Sequence, residues 1–183
     1  MNANVVALSM LLVASPLGAF DSFYFHTLKF RLFERPESRI EEMTHLLRSA
    51  LIGSVAIILS RGDPHGGWYW LVCALLVLDF LNNIGDAISE PSSRKELGGL
   101  PPLEYVIHIT GAAMTGGAAA AFVVLGWPMA HLPTSLAPST QMPSGLASVA
   151  LALGVSVIVV AGVEAGLFVR SWRRSTVIER QAS

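Results

Sequence analysis

The sequence predicts an all-α integral membrane protein: five transmembrane helices in one bundle, forming a single domain. Three observations carry this expectation. Of 183 residues, 52% are hydrophobic and only 14% are charged, against about 25% charged in an average soluble domain. Mean hydropathy is +0.56. The charges are also unevenly spread, with none in residues 1–20 and none between Glu104 and Glu164. This pattern excludes a soluble globular domain and a disordered chain. Twelve basic against thirteen acidic residues leave no cationic excess for nucleic acid. The single cysteine, Cys73, lies in an apolar run and excludes a disulfide framework or a Cys-based zinc site.

Crossing the hydrocarbon takes roughly 20 helical residues, and five segments qualify: about 4–25, 42–60, 67–87, 104–126 and 146–168. The first resembles a signal peptide in position only. It lacks a positive n-region, and Leu17-Gly18-Ala19 is a poor cleavage site, so it reads as a span. The second has twelve uncharged residues between Arg48 and Arg61, and spans only by drawing His45 and Arg48 in with it. The third has fifteen between Asp63 and Asp79, which puts Asp79 inside the membrane. The uncharged stretch 105–163 is too long for one helix. It breaks at Trp127-Pro128 and the Pro/Ser/Thr-rich loop 127–145, giving the fourth and fifth spans, and a basic tail follows at 170–183.

Orientation follows from lysine and arginine. With five spans, eleven of the twelve basic residues fall on one side, Arg61 being the exception. That side is expected to be cytoplasmic, with the N-terminus outside, the C-terminus inside, and Trp68, Tyr69, Trp70 and Trp127 in an outer aromatic belt. The location is the cell membrane, the inner one for a protein of bacterial type.

The acids are what topology leaves over. Twelve of thirteen lie on the same side, Asp63 excepted, although the positive-inside rule says little about Asp and Glu. At 1.5 Å per residue, His45, His108 and Glu164 lie about 6 Å inside the membrane edge, and Arg48 and Asp79 about 9–10 Å inside. Asp21 and His26 sit at the matching end of the first span. Ionisable groups at such depth mark functional interiors. In the third span Asp79, Asn83, Asp86 and Glu90 follow spacings of 4, 3 and 4, one helical stripe about 60° wide. Glu41-x-x-x-His45 and Glu104-x-x-x-His108 each present a carboxylate and an imidazole on one face near a helix start, with Glu42 also beside His45.

The segment Glu34-Arg-Pro-Glu-Ser-Arg39 before the first Glu/His pair echoes Glu90-Pro-Ser-Ser-Arg94 before the second. The echo suggests a parallel repeat relating helices 1–2 to helices 3–4. It also resembles, as chemistry alone, the carboxylate-bridged dimetal bundles, which take single carboxylates from two helices and Glu/His pairs from two others. The expected metal ligands are His45, His108, Glu41, Glu104, Asp79 and Asp86, with Asp21, His26, Glu42, Arg48, Asn83, Glu90 and Glu164 as a second tier. Mixed imidazole and carboxylate ligands suit Fe, Mn or Zn. A shared site requires the His45 and His108 rings to lie within roughly 10 Å, because metal–ligand bonds are about 2 Å.

Each residue also has a plainer reading. Ser38-Arg-Ile-Glu41 fits a capping box, and Glu104 after Pro101-Pro102 is a first-turn acid. Arg48 would pair with Asp79 or Glu164, and the asparagines would bond between helices. His65 and His131 in the outer loops are incidental. The Gly/Ala run from Gly111 and Gly162-x-x-x-Gly166 read as smooth faces for close packing.

The function expected first is a membrane metalloprotein, leaning to an enzyme, whose site opens near the cytoplasmic face. It would oxidise or hydrolyse a lipid-like substrate. The alternatives are a cation- or proton-coupled transporter using the same cluster, and a non-catalytic subunit whose polar layer organises helices, docks a cytoplasmic partner or serves a homo-oligomer. No nucleotide-binding or serine-hydrolase motif is present, and haem is disfavoured because carboxylates outnumber histidines.

Overall fold

The computed structural model describes residues 2–182, with side chains described as far as Arg173. The rest of the expected basic tail lies outside the described side chains. The chain is mostly helical. Five helices, α1 (Ala3–Phe20), α2 (Arg39–Arg61), α3 (Gly67–Ser93), α4 (Pro102–Gly126) and α5 (Ser144–Ala182), account for most of it. With their helical extensions, all five are long and apolar enough to cross a membrane: Ala3–Lys29, Pro36–Arg61, Gly67–Ser93, Pro102–His131 and Ser144–Arg173. Four of these spans outrun the expected bounds chiefly or only at the polar end, and the remaining one, Pro102–His131, chiefly at the other, through Trp127–His131. Large apolar side chains face outward, Phe23, Ile88, Val124 and Val163 among them. This is the surface hydrocarbon would solvate.

α1 runs alongside α4, and α2 lies between α3 and α5, while α1 meets α2, and α3 meets α4, over short stretches. Between them Leu8, Leu11, Val55, Leu59, Tyr69, Val72 and Phe122 form an apolar core. Tyr69 stacks on Phe122 at 5.3 Å and donates its hydroxyl to the Val123 carbonyl at 3.0 Å. Gly53 and Gly154 bring α2 and α5 together: a Cβ on Gly154 would stand 2.9 Å from the Gly53 carbonyl oxygen. Of the glycines expected to do this, Gly117 in the Gly/Ala run does, since a Cβ there would run into the Met10 side chain of α1, but the Gly162-x-x-x-Gly166 pair does not. Gly162 and Gly166 are exposed, and Cβ atoms there would meet nothing within 4 Å, as at Gly111. They lie on helix faces turned away from the neighbours.

A two-stranded antiparallel ladder, β1 (Asp63–His65) with β2 (Ser135–Ala137), closes the apolar end. It is an addition to the all-α expectation. Asn4 secures it to α1 by donating to Asp63 Oδ1 at 2.6 Å and to the Gly62 carbonyl at 3.0 Å. As expected, α4 stops at Gly126, with Trp127–His131 forming a 3-10 turn around Pro128.

Candidate metal centre

The opposite end of the bundle is polar and buried. Its most unusual element continues α1: Asp21–Lys29 is a nine-residue π-helix, a form that is rare and usually limited to one turn at functional sites. Phe30 N–H reaches the Phe25 carbonyl at 3.0 Å, and Thr27 Oγ1 the Ser22 carbonyl at 3.0 Å, both five residues back. In an α-helix, residues five apart point about 140° away from each other. The wider π turn brings Asp21 and His26 to one face, with His26 Nε2 3.5 Å from Asp21 Oδ2 and both residues 3% exposed.

α2 and α4 deliver the other imidazoles. The His45 ring lies 4.0 Å from that of His26 and 5.8 Å from that of His108, centre to centre, so the two Glu-x-x-x-His histidines are inside the 10 Å requirement. His108 Nε2 lies 3.0 Å from Asp21 Oδ2, and its Nδ1 is 2.5 Å from Glu90 Oε1. His45 Nε2 lies 3.3 Å from Asp86 Oδ2 without hydrogen-bond geometry, and it has no other partner. One ligand atom each from Asp21, His26, His45 and His108 falls within 4.8 Å of the others. Bonds of about 2.0–2.1 Å in a tetrahedral site put ligand atoms roughly 3.3–3.4 Å apart. The 3.0 and 3.5 Å separations around Asp21 Oδ2 bracket that spacing.

The predicted stripe on α3 exists, and every rung has a partner on a facing helix. Glu90 meets His108, and Asp86 meets His45 and accepts from Thr44 Oγ1 at 2.6 Å. Asn83 accepts from Arg48, whose Nε is 3.9 Å from Asp79 Oδ1 and whose Nη2 reaches Thr115 Oγ1 at 3.3 Å. Asp79 thus stands with Arg48, Asn83 and Thr115, one turn deeper than the histidines and in none of the metal-spaced groups. Asn82 donates to the Thr44 carbonyl at 2.8 Å, bonding between helices as its plainer reading held. Glu164 of α5 is within electrostatic reach of His45 and Glu42, and Glu42 Oε2 lies 3.9 Å from His26 Nδ1.

Glu41 and Glu104 are fully buried and face His26, with Nε2–Oε1 distances of 3.9 and 3.7 Å. Between them stands Arg94, 1% exposed, which donates from Nε and Nη2 to Glu41 Oε1 at 3.0 and 2.6 Å and from Nη2 to Glu104 Oε1. The capping-box reading of Glu41 is therefore corrected. Neither half of the box forms: Ser38 ends the 3-10 turn Pro36–Ser38 and its side chain makes no cap bond, and the Glu41 carboxylate turns inward to Arg94. Sequence reasoning assigned Arg94 to an interhelical loop as a topology charge and missed this role. The signal was available, since Arg94 lies four residues past Glu90 and continues the α3 stripe.

The pairing has a two-fold pattern. Exchanging α1 with α3 and α2 with α4 carries the Asp21–His108 pair onto the Asp86–His45 pair, and the close α1/α4 contact onto the close α3/α2 contact. Compared with known proteins, the chain matches no family model, no curated protein and no solved structure.

Proposed function

We propose that this chain is a membrane metalloenzyme that binds a transition-metal ion, iron, manganese or zinc, through Asp21, His26, His45 and His108. The observation that carries the reading is the convergence of three imidazoles and one carboxylate from three helices on one buried point. Supporting it are Asp21 Oδ1 and His45 Nε2, which are buried with no hydrogen-bond partner. Buried polar atoms of that kind are costly, and a native fold keeps them for a reason. Metal-ligating histidines also usually give their second nitrogen to a carboxylate, as His108 gives Nδ1 to Glu90. A bound ion would supply Lewis acidity or oxygen activation.

The substrate class we propose is lipid-like. Glu90 and His108 are the partly exposed edge of the cluster, with side chains 16% and 17% accessible, and they lie where α3 and α4 meet only briefly. A substrate reaching that edge between the two helices would come from the side, from among the acyl chains. The same proposal places the polar end at the cytoplasmic face, by the basic bias, and treats helices 1–2 and 3–4 as a parallel repeat, supported by the two-fold exchange of the Asp–His pairs.

A second reading, a proton or cation path, is favoured by one observation: Arg48, Asp79, Asn83 and Thr115 extend the polar layer a turn deeper. Beyond them Val55, Leu59, Val72, Leu76 and Phe122 close the interior with apolar packing. The deciding experiment is elemental analysis of the purified protein after loading with each metal, beside a His45→Ala/His108→Ala variant. Near-stoichiometric metal in the native chain and its loss in a variant of unchanged helicity are expected. No metal in the native chain sinks the reading.

A further inference from the structure

We infer that Arg94 is the resident cation of a second metal position, so that the native chain holds one metal ion where its frame is laid out for two. The inference rests on the proposed Asp21–His26–His45–His108 site. Next to that site His26, Glu41 and Glu104 form a further group with ligand atoms within 4.8 Å of one another. Arg94 Nη2 touches the same three side chains: it is 2.6 Å from Glu41 Oε1, hydrogen-bonded to Glu104 Oε1, and 3.4 Å from His26 Nε2. One guanidinium nitrogen takes the point from which an ion would reach the two carboxylates, the single lone pair of His26 Nε2 being given to the Asp21 site.

Its placement is built into the backbone. Arg94 caps α3 with its N–H on the Glu90 carbonyl at 2.9 Å, and its own carbonyl accepts from Leu97 and Gly99, each at 3.0 Å. Gly98 and Gly99, at φ 84° and 92°, turn the chain through the left-handed region that suits glycine. The turn leads into α4 and sets Glu104 beside Arg94 ten residues on. The Phe30 ring covers the guanidinium at 5.0 Å.

The chemistry explains why a metal does not displace it. A guanidinium is not deprotonated in proteins, so it cannot yield its position by losing a proton, and its single charge repels a dication arriving beside it. The position nonetheless keeps spare donor capacity. Glu41 Oε2 and Glu104 Oε2 are buried and without partners. The frame, a Glu/His pair on each of α2 and α4, is that of a dimetal bundle, with arginine in one place. The native centre therefore works with one ion and does not clamp two oxygens between a metal pair.

The test loads full-length protein in detergent with Mn²⁺ alone, then reads manganese per chain by elemental analysis and spin coupling by EPR. The native chain is expected to hold one uncoupled ion, Arg94→Met two coupled ions, and Arg94→Lys, which keeps the charge, one. Two ions in the native chain, or one in the native chain and no more than one in Arg94→Met, overturns the inference. No manganese in either chain overturns this inference, whereas the proposed function falls only if iron and zinc fail to load as well. One ion in Arg94→Met and none in the native chain removes the Asp21 site but keeps Arg94 as the cation of the other position. Should Arg94→Met fail to fold, Glu104→Gln replaces it, because its amide oxygen can still accept from Arg94. That variant is expected to keep the single ion, and losing it would show Glu104 to be a ligand and overturn the inference.

Discussion

The two ends of the bundle are built on opposite principles. At the apolar end, shape decides: Tyr69 on Phe122, Gly53 against Gly154, and one polar clasp, Asn4 on Asp63. At the other end, charge decides, and it is left deliberately incomplete. Among the described residues ten buried side-chain polar atoms lack a hydrogen-bond partner, and only Asn4 Oδ1 belongs to the apolar end. Polar bonds do tie helices together at the polar end, Arg94 to Glu41 and Asn82 to the Thr44 carbonyl among them. Buried ion pairs are nevertheless weak evidence for stability, whereas unsatisfied polar groups gathered in one place point to a ligand.

The hardest break is Arg94→Met without added metal. It strands Glu41 and Glu104 as buried carboxylates, and removing one partner of a buried pair costs about 3–5 kcal/mol. Unfolding in mixed detergent micelles is expected to shift by that much, and saturating Mn²⁺ to recover most of it. Next come Asp21→Ala and His26→Ala, each removing a ligand. They are expected to weaken metal binding by more than the about 10–100-fold that loss of an outer partner costs, read by chelator competition. Metal at 100 times its Kd stabilises by about 2.7 kcal/mol. A chelator should therefore lower the Tm of the native chain and leave that of His26→Ala unmoved.

The apolar end supplies the contrast. Phe122→Ala opens a cavity against Tyr69 and Val72. Lipid is as apolar as the core, so the transfer contribution lapses and only packing is lost. A destabilisation of about 1–2 kcal/mol follows from the cavity contribution alone. Metal content should be unchanged, and a fall in it would mean that the two ends are coupled through the helices.

How much of this was legible beforehand follows from distance along the chain. The five helices, the α3 stripe and the two Glu-x-x-x-His pairs obey the 3.6-residue period, and any reading of that period finds them. The Asp21–His26 pair reached only the second tier because it does not obey that period. Asp21 and His26 are five apart, and only the π-helix puts them on one face, so they ranked below Asp79, which the structure gives to Arg48. Arg94 escaped because its partner Glu41 is 53 residues away, and its other partner, Glu104, lies across a turn whose geometry two glycines set. The pairing of Asp63–His65 with Ser135–Ala137 was hidden for the same reason, in strands of three residues with no alternation to read.

The finest test concerns a hydroxyl that cannot satisfy both of its neighbours. Thr44 Oγ1 lies 2.6 Å from the Asp86 carboxylate and 2.6 Å from the Glu41 carbonyl, and it has one proton for two acceptors. The charged acceptor makes the stronger bond, so the proton belongs to Asp86 and fixes that carboxylate against His45. Thr44→Ser keeps the proton and should be silent. Thr44→Val keeps the shape and loses it, at about 1.5–3 kcal/mol for a hydrogen bond to a charged group, of which only the share that orients His45 reaches the metal. Mn²⁺ affinity is expected to fall about tenfold, the lower end for an outer partner, with helicity unchanged. If Thr44→Val titrates like the native chain, Asp86 does not hold His45, and the polar end owes its order to Asp21 and Arg94 alone.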